Sequence, residues 1–275
     1  MTFPIAAIVL FAALLHASWN ALLKGGSDRL WSMTIMGIAT SLACAALLPF
    51  LPIPLRASWP YLIGSAVLHV GYNAFLIRAY RSGEFGSAYP IARGSSALLV
   101  TLGAAAVAGE SPSPTGIAGI LLVSTGIISL AFRGRRLPEA GIFYALGTGL
   151  FIAAYSVTDG IGGRLSASPV SYTLWMCLMW GITAAPVYWL RRRDSRLWRG
   201  AQATGLAALG GVVSLLAYGI VIFAMTRAPM GSVSALRETS VLFAVLLGRV
   251  FFAEPLTLRR IVSALVIAAG ALCLE

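Results

Sequence analysis

The chain has 275 residues, of which 59% are hydrophobic and only 11% are charged. Because soluble domains carry about 25% charged residues, this composition excludes soluble, disordered and disulfide-stapled proteins. A net charge of +11 would suggest nucleic-acid binding in a soluble protein. In so apolar a chain it instead indicates positive residues gathered on one side of a membrane.

Ten stretches are apolar and long enough to cross a bilayer, which takes about 20 residues. In chain order they are 3–23, 31–51, 60–79, 86–108, 114–132, 140–162, 169–190, 202–225, 231–252 and 258–274. The connections between them are short and hold clusters of Pro, Gly and Arg. The sequence therefore predicts an all-α polytopic membrane protein of ten transmembrane helices, without a soluble catalytic domain.

The fourth and ninth spans carry the same pattern: a Gly-Ser pair, then an arginine, then a glutamate at the end. The pattern consists of Gly86-Ser87, Arg93 and Glu110 in the fourth span, and of Gly231-Ser232, Arg237 and Glu254 in the ninth. Residues 1–132 and 140–275 are accordingly predicted to be two five-helix repeats, joined by a loop over 133–139. Because five is odd, the second repeat must enter the membrane inverted, which is an architecture of transporters. The two glutamates are predicted to be structural, since each precedes a positive helix N-terminus.

The positive residues divide unevenly between the two sides of the predicted bundle. Fourteen of the 20 Lys and Arg residues fall in odd-numbered connections and three in even-numbered ones. The positive-inside rule then predicts that the odd connections are cytoplasmic and that both termini lie outside.

These features resemble the drug/metabolite transporter superfamily, and within it the EamA-type ten-helix transporters. The resemblance rests on the ten spans, the five-plus-five repeat and the Gly-Ser, Arg and Glu pattern. It implies a central cavity lined by the first four helices of each half, with the fifth and tenth helices at the periphery. It also implies that both termini are cytoplasmic, whereas the distribution of positive residues predicts that both lie outside. The chain lacks the nucleotide-binding motifs of a pump, so we expect no cofactor and transport driven by a gradient.

Charges inside predicted spans point to a binding site, because each is costly unless paired or hydrated. Arg93 and Arg237 lie about 10 Å into their spans, and guanidinium groups bind carboxylates through two parallel hydrogen bonds. We expect them either to contact substrate or to form a structural pair. Glu238 is either a proton or cation site or the fixed partner of the arginines. We assign Glu238, Asp159 and Pro90 to coupling or gating. Asp159 is expected nearer a membrane edge, and Pro90 can bend its helix.

Polar and aromatic residues on several spans are predicted to line the cavity, with helix–helix hydrogen bonding as the alternative. They are His16, Trp19 and Asn20 on the first span, His69, Tyr72 and Asn73 on the third, Trp175 on the seventh and Tyr218 on the eighth. The two histidines have no third ligand at helical spacing, so no metal site is predicted, and three isolated cysteines indicate no disulfide framework.

The sequence predicts a secondary active transporter that moves a small polar metabolite by alternating access across a bacterial-type inner membrane. An amino acid, another zwitterion or an organic anion would suit the two arginines at a central site between the repeats. The alternative is efflux of lipophilic or quaternary cations; a membrane-embedded enzyme would need a nucleophile or metal cluster that we do not find. The expected partners are the substrate, the lipid bilayer and protons or another coupling solute, and no nucleic acid. Small-residue stretches such as 268–271 suit helix contacts within or between chains.

Overall fold

The computed structural model describes residues 1–25, 28–82, 85–131, 139–182, 186, 188–189, 192, 197–253 and 255–274. The described residues form helices and contain no strand. The helices of the first half are α1 (Phe3–Gly25), α2 (Arg29–Leu47), α3 (Trp59–Ser82), α4 (Phe85–Ala108) and α5 (Pro114–Ser129). Those of the second half are α6 (Glu139–Leu165), α7 (Pro169–Ile182), α8 (Ala201–Met225), α9 (Met230–Glu238), α10 (Ser240–Phe252) and α11 (Leu258–Leu272).

Seven helical segments are long and apolar enough to cross a membrane. They are α1, α3, α4, α6, α8, α2 with the short 3-10 turn that follows it, and α9 taken together with α10. Three predicted spans are shorter over the described residues: α5 has 16 residues, α7 has 14 and α11 has 15. The prediction of an all-helical polytopic membrane protein is confirmed. Helices α5 and α11 end two or three residues earlier than predicted, and much of the predicted seventh span after Ile182 lies outside the described residues.

The ninth predicted span is two helices, α9 and α10, that meet at Thr239. The Thr239 hydroxyl donates to the carbonyl oxygen of Leu236 at 2.6 Å, and the backbone N–H of Leu242 donates to the Thr239 carbonyl at 2.8 Å. Bonds to the third residue along the chain tighten the backbone and interrupt the α-helical ladder. The break lies directly after Glu238, so the charged residues end one helix rather than lying inside a longer one.

The helices of the two halves interleave. The most extensive packing places α6 against α3 and α4, and α8 against α1 and α2. The main apolar core accordingly draws residues from both halves, such as Val9 and Val100 from the first and Val157, Val221 and Val233 from the second. Large apolar side chains on the outside remain exposed, including Leu102 at 66% and Val250 at 73%. An outward apolar surface is what a bilayer requires.

The even-numbered connections, which were predicted to lie on the same side of the membrane, are close to one another in the structure. At one end Arg164 contacts Glu110 at 2.5 Å, and Glu110 also accepts a hydrogen bond from the backbone N–H of Met230 at 2.8 Å. Glu110 therefore supports the N-terminus of α9 and not, as its sequence position suggested, that of α5. Its counterpart Glu254 lies outside the described residues.

The opposite end is held by a carboxylate that precedes α2. Asp28 accepts a hydrogen bond from the backbone N–H of Trp31 and contacts Arg192 at 2.8 Å and Arg199 at 3.0 Å. Burial raises the pKa of Asp28, but the hydrogen bond from Trp31 and the two guanidinium groups outweigh this effect, and the pKa falls below its usual value. The carboxylate thus joins the first connection to the residues before α8.

Helices α5 and α11 approach each other closely because glycines face each other. A Cβ atom added at Gly270 would lie 2.8 Å from the Cβ of Leu122, 2.8 Å from the backbone nitrogen of Val123 and 2.9 Å from the carbonyl oxygen of Gly119. Backbone atoms cannot move aside as a side chain can, so the two helices depend on glycine at this position.

We expect Gly270→Ala to destabilise the protein by about 1–3 kcal/mol, since it forces α5 and α11 apart. The measurement is the midpoint of thermal unfolding in detergent. Gly205→Ala is the matched control, because a Cβ atom at Gly205 meets nothing within 4 Å and alanine favours the helix by up to about 1 kcal/mol. Equal melting temperatures for the two variants would contradict this account of the helix contact.

We expect Asp28→Asn to keep the cap of α2 but to lose its two ion pairs, at a cost of up to about 1 kcal/mol near pH 7. The folded pKa lies below the unfolded value of about 3.9. The stability from these ion pairs is therefore complete above the unfolded pKa and is lost as the pH falls through the folded one. Melting temperatures of the wild type and the variant should converge in that acidic range. A difference that persists unchanged there would contradict the assignment.

Candidate functional site

An ion triad lies buried where α4 meets α9. The Nε of Arg93 is 2.6 Å from one carboxylate oxygen of Glu238, and a terminal nitrogen of Arg237 donates to the other oxygen at 3.0 Å. The exposed fractions are 5% for Arg93, 3% for Arg237 and zero for Glu238. One carboxylate thus neutralises one of two guanidinium groups, and the triad retains one positive charge.

His16 extends the triad toward α1. Its Nε2 lies 3.3 Å from a terminal nitrogen of Arg93, and its ring meets the ring of Trp19 edge to face at 5.0 Å. Since an arginine can only donate, the neutral imidazole accepts from it. Two buried donors beside the triad, the Nε of Arg237 and the indole nitrogen of Trp19, have no hydrogen-bond acceptor among the residues that the structure describes.

A second polar centre surrounds Asp159 on α6, which is completely buried. The Tyr218 hydroxyl donates to one carboxylate oxygen at 2.6 Å and the Tyr172 hydroxyl to the other at 3.0 Å. In the described part of the chain, no basic side chain lies within ion-pair distance of Asp159. Its charge is held by two phenol hydroxyls from α7 and α8, with Ser65 and His69 on α3 also within electrostatic range.

Aromatic rings connect the two centres. Tyr155, one helical turn before Asp159, stacks on His69 with ring centres 4.1 Å apart and lies 5.7 Å from Tyr72 and 6.3 Å from Tyr218. Tyr155 is also within electrostatic range of both arginines and of Asp159.

Helix α9 runs between the two centres. The sulfur of Met230 packs against Gly160, the neighbour of Asp159, at one end of α9, and Glu238 lies at the other end. Eight residues of α-helix separate Met230 from Glu238, which corresponds to about 12 Å. All nine residues of α9 are buried, so the helix is a direct connection between the two sites.

Comparison with known proteins identifies a family domain in the chain. Residues 139–274 match the EamA-like transporter family. The second half of the chain therefore carries an EamA-like transporter domain. A protein of known crystal structure aligns with 98% of this chain and 97% of its own, with a TM-score of 0.79 and 19% sequence identity, which shows a similar fold. No curated protein matches the sequence.

The predicted resemblance is thereby confirmed, and the EamA-like chain is a multi-pass membrane transporter of the drug/metabolite transporter superfamily. Its predicted site residues fall into two groups. Arg93, Arg237, Glu238, His16 and Trp19 meet at the triad, while His69, Tyr72 and Tyr218 gather around Tyr155 and Asp159. Asp159 itself is fully buried near the end of α6, beside Gly160 and the Met230 end of α9.

Other predicted residues lie away from these contacts. Asn20 donates to the carbonyl oxygen of His16 at 2.7 Å on its own helix, and Trp175 packs against Trp59 at 5.8 Å in a separate cluster. Asn73 is half-buried on α3, and Pro90 lies within α4 about one turn before Arg93. The described residues hold no group of three His, Cys, Asp or Glu side chains that could bind a metal ion.

Two residues of the Asp159 centre were not among those assigned to the site from the sequence, Tyr155 and Tyr172. Tyr155 precedes Asp159 by four residues and thus shares its helix face, which could have identified it. Tyr172 lies near the start of a span, where interfacial aromatic residues are common, so its position carried no distinguishing signal.

We expect Glu238→Gln to destabilise the transporter by roughly 3–5 kcal/mol, because it preserves shape but leaves two buried guanidinium groups without a carboxylate. The measurement is again thermal unfolding in detergent. Arg93→Met is the control, because it leaves the Arg237–Glu238 pair intact and should cost less. An equal or smaller loss in Glu238→Gln would contradict a shared carboxylate.

Proposed function

We propose that this EamA-like transporter moves a small metabolite that bears a carboxylate or similar anionic group, by secondary active transport. An amino acid, another zwitterion and an organic anion all carry such a group. The observation that carries the proposal is the positive charge that the Arg93–Glu238–Arg237 triad keeps in excess at the centre of the fold. A buried charge of this kind is costly unless a counter-charge joins it.

The chemistry of the triad favours an anion. Guanidinium groups present paired donors that match the two oxygens of a carboxylate, and electrostatic attraction strengthens in low-dielectric surroundings. The buried donors of Arg237 and Trp19 lack acceptors within the described ranges, and an anionic ligand would supply acceptors. The triad thus combines the charge and the donors that a carboxylate needs.

Alternating access between two inverted repeats is the mechanism that we propose. Contacts between the helices of the two halves support this mechanism. The same helix pairs recur when each helix is replaced by its counterpart in the other half. The first helix of each half packs against the third helix of the other half: α1 against α8, and α6 against α3. The fourth helix of each half packs against the first helix of the other half: α4 against α6, and α9 against α1. The second, fourth and fifth helices pack against their counterparts.

We also propose a location for the protein, the inner membrane of a bacterial cell. The end of the bundle that carries Arg192 and Arg199 would face the cytoplasm, because the positive-inside rule places arginine-rich connections there.

Efflux of organic cations is the second candidate function. The rings of His69, Tyr72, Tyr155 and Tyr218 favour it, since aromatic faces attract cations. However, both oxygens of Glu238 already face arginines, so the carboxylate predicted to bind such a cation is occupied. Anion recognition is therefore the better supported function.

We expect Arg93→Ala and Arg237→Ala each to reduce transport at least tenfold, because one lost charge-assisted hydrogen bond costs about 1.5–3 kcal/mol. Purified protein is first screened by thermal shift against amino acids, organic acids, phosphonates and quaternary amines, since a ligand of the folded state raises the melting temperature. Flux of a radiolabelled L-amino acid mixture and of labelled organic acids is then measured in proteoliposomes.

Arg249→Ala is the matched control, because Arg249 is an exposed arginine on α10, and its flux should equal that of the wild type. Unchanged flux in both triad variants would overturn the proposed site. Stabilisation by quaternary amines alone would favour cation efflux instead.

A further inference from the structure

The carboxylate of Asp159 is a second charged centre that anion recognition does not use. We propose that Asp159 is the proton-binding site of the transporter, separate from the substrate site. The proposal rests on the proposed function for its role in transport, while proton binding itself can be tested without a substrate.

Among the described residues, no lysine or arginine pairs with the Asp159 carboxylate. The side chain is fully buried, and the described residues place no lysine, arginine or histidine within ion-pair distance of it. A carboxylate in an apolar interior without a cation is stabilised when it takes up a proton. Glu238 differs in this respect, because arginines contact both of its oxygens.

The surroundings of Asp159 contain few other groups that can titrate. Those within electrostatic range are His69 on α3, Tyr155 on the same helix, Tyr172 and Cys177 on α7, and Tyr218 on α8, while Arg237 on α9 is in range of Tyr155 and Tyr218. His69 is engaged with its own helix, because its Nδ1 lies 2.8 Å from the carbonyl oxygen of Ser65. Asp159 is the one carboxylate among these groups, so a proton bound to it removes their negative charge.

A proton fits the geometry better than a metal ion does. Sodium sites in transporters use carbonyl oxygens from unwound helices, whereas α3, α6, α7 and α8 are continuous around Asp159. Tyr172 and Tyr218 already occupy one carboxylate oxygen each. A proton needs no further ligands: it forms one O–H bond with a carboxylate oxygen, and it comes from water on whichever side the protein is open to.

The two centres are built from different residues. Arg93, Arg237 and Glu238 form the triad, whereas Tyr172 and Tyr218 hold Asp159. Helix α9 also connects the sites mechanically, since Met230 packs against Gly160 at one end and Arg237 and Glu238 lie at the other. Loss of the charge on Asp159 would weaken the hydrogen bonds from the two tyrosines and thus alter the packing at the Met230 end.

Infrared difference spectroscopy of the full chain in lipid nanodiscs tests the proposal, with the proton as the probe. When the pH is lowered from about 9 to about 5, the wild type should gain a C=O stretching band of a protonated carboxylic acid. Asp159→Asn should lack this band. Asp28→Asn is the matched control and should keep it, because Asp28 lies outside the membrane-spanning helices and titrates at lower pH.

A second variant covers the case in which Asp159→Asn does not fold. Tyr218→Phe keeps the carboxylate but removes the hydroxyl that stabilises its charge, so the band should appear at a pH higher by roughly one unit. A band that is unchanged in folded Asp159→Asn, or a midpoint that does not move in folded Tyr218→Phe, would overturn the proposal. Arg93→Ala should keep the band even where it abolishes transport, so failure of the proton site and failure of the substrate site are distinguishable.

Discussion

The rest of this structure depends on one carboxylate, Glu238, held between two arginines from opposite halves of the chain. Three charges in the interior of a membrane protein are stable only if their hydrogen bonds and ion pairs are made within the protein. Arg93 from α4 and Arg237 from α9 must therefore meet at one point. The interleaving of the two halves satisfies this requirement, and two of the three charges lie on α9, whose nine residues are all buried.

Close backbone approach is what permits that meeting. A Cβ atom added at Gly231 would lie 3.0 Å from the Cβ of Thr101, so glycine allows α9 to lie directly against α4. Gly149 plays the same part for α6, since an added Cβ atom would lie 2.9 Å from the carbonyl oxygen of Ala92. In lipid, where apolar burial between helices brings little free energy, such small residues are the main source of tight packing. The polar centres thus depend on the glycines around them.

The sequence alone was informative where a residue contrasted with its surroundings. Arg93, Arg237 and Glu238 stand out as charges within apolar spans, and the structure brings all three together. Their pairing could not be predicted, because it depends on which helices of the two halves become neighbours. The break at Thr239 was hidden for a related reason, since one threonine in an apolar run is common. Tyr172 carried no such contrast, because aromatic residues are common near the start of a span, and only the fold places its hydroxyl against Asp159.

Charge balance connects the two proposed sites. With neutral histidines, Arg93, Arg237, Glu238 and an ionised Asp159 sum to zero. A substrate with one net negative charge would leave the interior negative, and a proton on Asp159 would leave it positive. Both together restore neutrality, and a low-dielectric interior favours neutral states by several kcal/mol over charged ones. Under the two proposals, substrate and proton would therefore bind together and leave together, which is co-transport of an anion with a proton.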